Sequence, residues 1–495
     1  MLGSSVRAPE IDRPGLEWFN VPKPLSLADL AGRLVILDFW TFCCINCVQV
    51  LPTLHRVEEA FPDDVVVIGV HSPKFAAERD PAKVSAAIAR YDIRHPVVHD
   101  PEMSIWRQYA VRAWPTLVFV SPDGAVLGQA SGEPDPDRLL EVVGRLITQG
   151  KADGTIRPEP LSLTLGATPI APLLYPGKIK PLPDRSGSLW IVADAGHHQI
   201  VVSDDDGVEI ARYGSGEAGL VDGPSDEACF NAPQGLVGDE DAIYVADTGN
   251  HAIRRIDRAS GEVTTLAGNG RRGPRLMQAM SAKDAILASV WDLELLGDQL
   301  IFANAGTHQL GVLDLGAMLL APIAGTGGEN ISDGPAHEAL LAQPSGLALH
   351  PSGRLLAFAD SETSAVRILA LDGDEPSVQT VIGTGLFDFG HRNGPLDEAL
   401  LQHPLGLDWL DEQRLVVADS YNDRVRIIDL AKGQIDDLDE GDFVCEDEVC
   451  RPLGEPAGIS VADDGRILVS DTNNHRIVVY RPSDRAYRTL IGSAG

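Results

Sequence analysis

Residues 38–47 read Asp-Phe-Trp-Thr-Phe-Cys-Cys-Ile-Asn-Cys, and they separate an apolar run at Leu34–Leu37 from a helical stripe of apolar residues that begins at Val48. A C-x-x-C motif therefore lies where a predicted buried strand turns into a predicted helix. A thiol at a helix N-terminus has its thiolate stabilised by unpaired backbone N–H groups and by the helix dipole. We expect Cys44, at the turn, to be a nucleophile and Cys47, one helical turn later, to resolve a mixed disulfide.

Two other interpretations of the motif are a zinc half-site and a pair of buried structural thiols. Zinc needs a second pair of ligands, and no second C-x-x-C or H-x-x-x-H follows at the spacing of a zinc finger or ribbon. Buried cysteines are common, but rarely in this strand-to-helix context. The motif therefore favours a redox site, and we expect neither a metal nor a cofactor.

The composition is that of an acidic chain, long enough for two or more domains. Its 495 residues include 40 basic and 72 acidic side chains, which gives a formal net charge of −32. No run rich in Lys or Arg offsets this charge, so nucleic acid is not an expected partner. The six cysteines are too few for a secreted disulfide scaffold. Because Met1–Asn20 lacks the apolar core of a signal peptide and no apolar run is long enough to span a membrane, we expect a soluble cytoplasmic protein.

An α/β domain is predicted for residues 1–150. Its first part, residues 1–33, is Pro-rich and carries Leu25, Leu27 and Leu30, which we expect to pack on the domain as an arm. Strand and helix patterns then alternate, as in a βαβ fold. The elements predicted after the cysteine-containing helix are strand Val65–Val70, helix Pro81–Tyr91, strand Val97–Val98, helix Ser104–Val111, strand Thr116–Val120, strand Val126–Ala130 and helix Asp135–Gly150.

This order of elements resembles thioredoxin. Asp38 stands before Phe-Trp, where thioredoxins place a buried carboxylate, and the resemblance implies that it takes the proton of the resolving cysteine. Tyr109–Thr116 resembles the thioredoxin segment that ends in a cis-proline loop. Pro115 would then face the sulfurs and leave backbone free to pair with a substrate strand. Trp40 and Trp114 are expected to be accessory residues of the site.

The departures from thioredoxin are also informative. Ile45 and Asn46 replace its Gly-Pro, and Cys43, a further accessory residue, stands where thioredoxins usually have Trp. The C-I-N-C form, with Gly69–Phe75 after the next strand, resembles TlpA-like domains. Because the residues between the cysteines tune the reduction potential, the direction of electron transfer is left open.

Residues 151–174 are predicted to be a Pro-rich linker, and a repeat follows them. A pattern of apolar strand, Asp, small polar residues and a second apolar strand recurs with about 50–60 residues between copies. Units with room for four short strands at that period predict propeller blades. The motif resembles the NHL repeat, and its copies predict a closed six-bladed β-propeller over residues 175–495. The repeated positions are Asp194, Asp247, Asn304, Asp360, Asp419 and Asp471.

We expect these repeated Asp and Asn side chains to be structural, capping the turn between the second and third strands by bonding to nearby backbone. A second repeat, in the interblade loops Asp222–Ala228, Asp333–Ala339 and Asn393–Ala399, is expected to line one rim of the ring and to bind a protein ligand there. Cys445 and Cys450 flank an acidic loop between blades five and six. They are either a second redox dithiol that closes a disulfide or two idle thiols.

The signature C-C-I-N-C and the order of the two domains resemble the NHL-repeat-containing protein 2 family over nearly the whole chain. The resemblance implies a cytosolic thiol-redox protein or a redox-linked scaffold. We therefore expect a thiol–disulfide oxidoreductase whose propeller recruits a partner carrying protein thiols or disulfides. The alternative is a non-catalytic scaffold, because Trp114 and Ile45 are bulky enough to hinder a substrate. A third interpretation, a propeller hydrolase of the metal-dependent lactonase kind, has no site motif in its favour.

Overall fold

The computed structural model describes residues 6–167, 169–184, 188–372, 375–439, 441, 443–446 and 449–492. The chain divides into two compact units, Met1–Thr168 and Pro169–Gly495. The division falls inside the segment 151–174 that the sequence predicts to be a linker. Among the described residues, no helix is long and apolar enough to cross a membrane.

Unit 1 is built on a six-stranded mixed sheet in the order β1-β4-β3-β2-β5-β6. Strand β2 lies in its middle, parallel to β3 and antiparallel to β5. The unit has the thioredoxin-like architecture predicted from the sequence. Its elements are β1 Glu17–Phe19, β2 Leu34–Trp40, α1 Ile45–Ala60, β3 Val65–His71, α2 Pro81–Arg90, β4 Val97–His99, α3 Ser104–Gln108, β5 Thr116–Val120, β6 Val126–Ser131 and α4 Pro136–Ala152.

Strand β2 is buried on both faces, and alternation along it decides where the site lies. Leu34 and Ile36 belong to the apolar cluster that includes residues of α1 and α4. Val35, Leu37 and Phe39 belong to the cluster on the opposite face, with residues of α3 and with the arm residues Leu25 and Leu30. By the same alternation, Asp38 and Trp40 point toward the α1 face.

Two details of unit 1 differ from the sequence prediction. The three-residue edge strand β1, which pairs with β4, is too short to stand out in the Pro-rich arm. Helix α3 ends at Gln108 instead of Val111, because Ala110 has a positive φ of 54° that a helix cannot continue through.

Unit 2 is a six-bladed β-propeller, as predicted. Each blade is one sheet whose long strands run antiparallel in sequence order from the inner to the outer edge. Blade 1 consists of β7 Pro176–Leu182, β8 Leu189–Asp194, β9 Gln199–Asp204 and β10 Glu209–Tyr213. Blade 2 consists of β11 Gly235–Gly238, β12 Ala242–Asp247, β13 Ala252–Asp257 and β14 Val263–Ala267. Blade 3 consists of β15 Met280–Ser281, β16 Val290–Leu296, β17 Gln299–Asn304, β18 Gln309–Asp314 and β19 Leu319–Ala324. Blade 4 consists of β20 Gly334–Pro335, β21 Pro344–Leu349, β22 Leu355–Asp360, β23 Ala365–Ala370 and β24 Ser377–Ile382. Blade 5 consists of β25 Gly394–Pro395, β26 Gly406–Trp409, β27 Arg414–Asp419, β28 Arg424–Asp429 and β29 Gln434–Asp437. Blade 6 consists of β30 Phe443–Glu446, β31 Val449–Pro452, β32 Pro456–Val461, β33 Ile467–Asp471, β34 Arg476–Arg481 and β35 Ala486–Ile491.

The ring closes where blade 6 meets blade 1. The Thr472 hydroxyl donates a hydrogen bond of 2.8 Å to the Pro176 carbonyl, and the backbone N–H of Tyr175 donates to His475 Nδ1 at 3.2 Å. Two of the three interblade loops contain a short strand of their own. Gly334-Pro335 and Gly394-Pro395 form the outermost strands of blades 4 and 5, paired with β24 and β29.

The repeated Asp side chains are structural, but the backbone that they bond is that of an earlier segment and not that of the turn. Asp360 illustrates the actual arrangement: its Oδ1 accepts the N–H of Ala342, 18 residues earlier, at 2.7 Å, and its Oδ2 accepts Arg367 Nη1 at 2.9 Å. Both side chains are fully buried. The carboxylate thus joins the entry of its blade to the third strand, while the turn itself is a 3₁₀ turn without a side-chain cap.

Charged side chains meet across the middle of the ring. Lys180, on β7, pairs with Glu294 of β16 and donates to the Leu347 carbonyl of β21 at 3.3 Å. Lys178 donates to the carbonyl of Leu405, next to β26 of blade 5, and to that of Ala457, on β32 of blade 6. Burial raises the pKa of Glu294 to about 7, against the opposing charge of Lys180. Among the described residues, no group of three or more His, Cys, Asp or Glu side chains is arranged to hold a metal ion.

Candidate redox site

Cys44 is the N-cap of α1. Its backbone is extended (φ −79°, ψ 106°), and its sulfur accepts the backbone N–H of Cys47 at 3.3 Å. The Cys44 carbonyl accepts the N–H groups of Cys47 and Val48 at 2.9 and 3.2 Å, which begins the helix. Cys44 is half-buried and carries a free thiol. The more accessible thiol of the motif therefore lies at the positive end of the helix dipole.

Cys47, also a free thiol, is 1% exposed. Burial raises the pKa of the Cys47 thiol well above its ordinary value, and contact with Cys44 and the charge of Asp38 act in the same direction. Cys47 therefore needs a nearby base before it can attack a sulfur.

Asp38 lies in the buried interior with no hydrogen-bond partner on either carboxylate oxygen among the described residues. Burial raises its pKa from 3.8 to about 7, and the charge of His95 opposes this effect. A carboxyl group with such a pKa gains and loses a proton near neutral pH. The structure thus places Asp38 in the buried setting that the thioredoxin resemblance implies.

The Trp114–Pro115 peptide bond is cis, as the resemblance implies. The Pro115 carbonyl accepts the N–H of Gly132 at 2.9 Å. Trp114 donates its indole N–H to the Ser72 carbonyl at 3.0 Å and packs against Trp106, with 4.5 Å between ring centroids.

The turn before Cys44 is held by Glu78, a residue that the sequence analysis did not single out. The buried Glu78 carboxylate accepts the Thr41 hydroxyl at 2.5 Å and the backbone N–H of Cys43 at 2.9 Å. It also accepts the N–H groups of Lys74 and Phe75, each at 2.8 Å. Burial raises the pKa of Glu78, whereas the bond from Thr41 lowers it. A single Glu after an apolar strand gives no sequence signal for this contact.

The remaining accessory residues are buried around the same turn. Trp40 contacts His71 edge-on, and Phe42 stacks on His71 with 5.4 Å between the ring centroids. Cys43 is 4% exposed and Ile45 is also 4% exposed. Ile45 points into the protein, which removes it as an obstacle to a substrate.

Cys445 and Cys450 form a disulfide in the structure. The sequence predicts a loop here, but the two residues instead face each other across the β-hairpin β30–β31. The hairpin joins the outer edge of blade 6, where Val444 pairs with Tyr487. Asp447 and Glu448 lie outside the described residues.

Comparison with known proteins supports both units. The thioredoxin-like family matches residues 32–126, and the NHL repeat family matches residues 453–480. The thiol-disulfide oxidoreductase ResA of Bacillus thuringiensis subsp. konkukian is 26% identical over 124 residues, which cover 25% of this chain and 69% of ResA. Unit 1 is therefore related to thiol–disulfide oxidoreductases.

The relatives that match both units include a plant protein and a bird protein. The Protein SUPPRESSOR OF QUENCHING 1, chloroplastic, of Arabidopsis thaliana is 37% identical over 485 residues, covering 93% of this chain and 45% of that protein. The NHL repeat-containing protein 2 of Gallus gallus is 37% identical over 510 residues, covering 95% of this chain and 69% of its own length. Since the similarity extends through the thioredoxin-like unit and the propeller alike, the chain belongs to the NHL repeat-containing protein 2 family.

Proposed function

We propose that the chain is a thiol–disulfide oxidoreductase in which Cys44 and Cys47 exchange disulfides with a protein partner. One observation carries the proposal: a free, partly accessible Cys44 thiol at the N-cap of α1, whose sulfur accepts the N–H of Cys47. A sulfur that accepts such a bond at a helix N-terminus is stabilised as the thiolate, which is the attacking species.

Reduction of a partner disulfide would take two steps. The Cys44 thiolate attacks one partner sulfur, the partner S–S bond breaks, and the other partner sulfur leaves and takes up a proton. Cys47 then gives its proton to Asp38, and its thiolate attacks the Cys44 sulfur. The bond between Cys44 and the partner breaks, and the released partner sulfur takes up a proton from solvent, which leaves the partner as a dithiol. The two electrons gained by the partner come from the Cys44–Cys47 pair, which ends as a disulfide. The same steps in reverse oxidise a partner dithiol.

We further propose that the propeller recruits the partner through its interblade loops. Two of these loops are anchored to the ring by buried arginines: Arg254 contacts Asp222 at 2.9 Å, and Arg367 contacts Asp333 at 3.0 Å. Loops fixed on a rigid scaffold are well suited to binding. The Cys445–Cys450 pair, on the hairpin of blade 6, is proposed as a second redox pair.

A second candidate is a redox-linked scaffold that does not turn over. It is favoured by the burial of Cys47, since a thiol that is 1% exposed with a raised pKa is slow to form the attacking thiolate. Equilibration of the full chain in glutathione buffers, followed by mass spectrometry, separates the two candidates by showing whether Cys44 and Cys47 oxidise together. The cytoplasmic setting stays a prediction, and the Arabidopsis relative is named as chloroplastic.

We expect Asp38→Asn to stabilise unit 1 increasingly as the pH rises. Because the folded-state pKa of about 7 lies above the ordinary value of 3.8, Asp38 favours folding at low pH and loses this effect as the pH rises through 7. At about 1.4 kcal/mol for each pH unit, the advantage of Asp38→Asn should grow by about 4 kcal/mol between pH 4 and pH 8.

Hydrogen exchange of peptides from β2, measured in the full chain and corrected for intrinsic rates, checks this prediction. The matched control is Asp63→Asn, which removes a carboxylate from an exposed position close to the same sheet. A difference between Asp38→Asn and wild type that stays constant over this pH range would contradict a raised pKa at Asp38.

A further inference from the structure

Three side chains beneath the dithiol bury polar atoms that have no hydrogen-bond partner among the described residues. They are Asp38, with both carboxylate oxygens, Trp40, with its indole nitrogen, and His95, with both ring nitrogens. Each such group costs about 1–3 kcal/mol when it is left unpaired in the interior. Three of them close together therefore point to a use other than stability.

The absence of a side chain at Gly69 brings these groups together. Gly69 is the partner of Asp38 in the parallel pairing of β2 with β3, so both residues face α1. A Cβ atom on Gly69 would lie 2.9 Å from Trp40 Nε1 and 3.4 Å from His95 Nε2. The indole and the imidazole thus fill the space beside Asp38 that a side chain at Gly69 would otherwise occupy.

The backbone around His95 is fixed from two sides. Asn20 Nδ2 donates to the His95 carbonyl at 2.9 Å, and the next carbonyl, of Pro96, accepts the N–H of Gly69 at 2.9 Å. The imidazole is consequently held over Gly69 by contacts that do not involve its ring nitrogens. Those nitrogens remain available for proton exchange.

A path from His95 to the surface runs through α1. His95 Nδ1 lies 3.4 Å from Glu58 Oε1, and the side-chain exposure rises from 1% at His95 to 27% at Glu58. His55, one turn before Glu58 on α1, lies within reach of the charges of Glu58, His95, Asp92 and Arg94. Asp92 and Arg94 pair with each other at 2.8 Å and are both exposed, which leaves Glu58 as the carboxylate that contacts the imidazole.

We propose that His95 and Glu58 form the route by which the Asp38 carboxyl exchanges its proton with solvent. The inference rests on the proposed function, in which Asp38 accepts the proton of Cys47. Asp38 passes this proton to His95 Nε2, directly or through one bridging water, and the Nδ1 proton of the resulting imidazolium passes to Glu58 and then to solvent. No electrons move in these steps, and Asp38 returns to the ionised form for the next cycle. His95 and Glu58 are thus positioning and relay residues and do not touch the partner.

The test compares His95→Phe and Glu58→Gln with Glu59→Gln, which removes the neighbouring, exposed carboxylate of the same helix. The first readout is the carbon-13 NMR titration of the Asp38 carboxyl in the reduced full chain. His95→Phe should raise the Asp38 midpoint by about one pH unit, because the nearby positive charge is lost. Glu58→Gln should raise it less, and Glu59→Gln should leave it unchanged.

The second readout is the rate at which a mixed disulfide on Cys44 is resolved, as a function of pH. His95→Phe should slow this step about tenfold near pH 7 and have little effect at high pH, where hydroxide removes the Cys47 proton. Added imidazole should restore the rate in His95→Ala. If His95→Phe does not fold, Glu58→Gln serves for both readouts, since Glu58 is partly exposed.

An unchanged Asp38 midpoint in His95→Phe and Glu58→Gln would overturn the relay, and so would unchanged resolution rates in both. A wild-type chain that never resolves a mixed disulfide would instead overturn the proposed function. In that case the Asp38 titration alone decides whether His95 and Asp38 are coupled.

Discussion

Cys47→Ser is expected to leave protein partners covalently attached to Cys44. The serine hydroxyl is close in size to the thiol but cannot attack a sulfur, so the mixed disulfide formed by Cys44 has no internal route to resolution. The Cys44 sulfur keeps its place at the N-cap of α1, where it accepts the N–H of residue 47. Adducts should therefore accumulate in the variant and be nearly absent in wild type. Non-reducing electrophoresis and mass spectrometry of the bands measure them.

The controls assign the adducts to Cys44. Cys44→Ser/Cys47→Ser should trap nothing, and Cys229→Ser/Cys47→Ser should trap as much as Cys47→Ser, because Cys229 is a free thiol of unit 2. Adducts that survive the loss of Cys44, or their absence from Cys47→Ser, would favour the non-catalytic scaffold.

Arg367→Met should lower the free energy of unfolding of unit 2 by about 3–5 kcal/mol, the usual cost of leaving one member of a buried ion pair alone. Arg367 is fully buried and donates to Asp360 at 2.9 Å, to Asp333 at 3.0 Å and to two backbone carbonyls. Methionine fills much of the volume but leaves the Asp360 carboxylate in the interior with no cation. A urea series followed by hydrogen exchange of unit 2 peptides gives the size of the loss.

Arg414→Met is the matched control, since Arg414 pairs with Asp411 at the surface, where both side chains are over 40% exposed. Such pairs contribute about 0–1 kcal/mol. Blade 3 gives a reason to expect that the fold itself survives, because it has Asn304 in place of the Asp and Gly311 in place of the Arg. There Asn304 is joined through Thr307 to Gln309 by neutral hydrogen bonds. Equal losses in Arg367→Met and Arg414→Met would show that the buried pairs do not stabilise the ring.

Local patterns in the sequence are sufficient to predict the fold of both units. The apolar run into Cys44 predicts β2 and α1, and the recurring Asp predicts the blades, because each depends on residues close together in the chain. Asp38 and Pro115 were located only through the resemblance to thioredoxin. The spacing of seven residues from Asp247, Asp360 and Asp419 to their arginines is a sequence signal for these buried ion pairs.

Contacts between distant segments could not be predicted. Glu78 reaches the turn before Cys44 across 35 residues. The His95 imidazole lies over Gly69, the strand partner of Asp38, only because Gly69 has no side chain. The strand β30 carrying Cys445 was also missed, since it pairs with Tyr487 of β35 more than 40 residues later. In each case a single side chain or a short strand is placed by tertiary packing, which leaves no periodic signal.

The redox equilibrium of the Cys44–Cys47 pair tests the proposed function most directly. The full wild-type chain is equilibrated in buffers of increasing ratio of oxidised to reduced glutathione, alkylated, and analysed by mass spectrometry of the peptides. We expect Cys44 and Cys47 to become protected from alkylation together, in one reversible two-electron step. Cys229 should stay a free thiol and be alkylated once the protein is unfolded. Oxidation of neither cysteine over the whole range, or glutathionylation of Cys44 alone with Cys47 still a thiol, would contradict an exchanging dithiol.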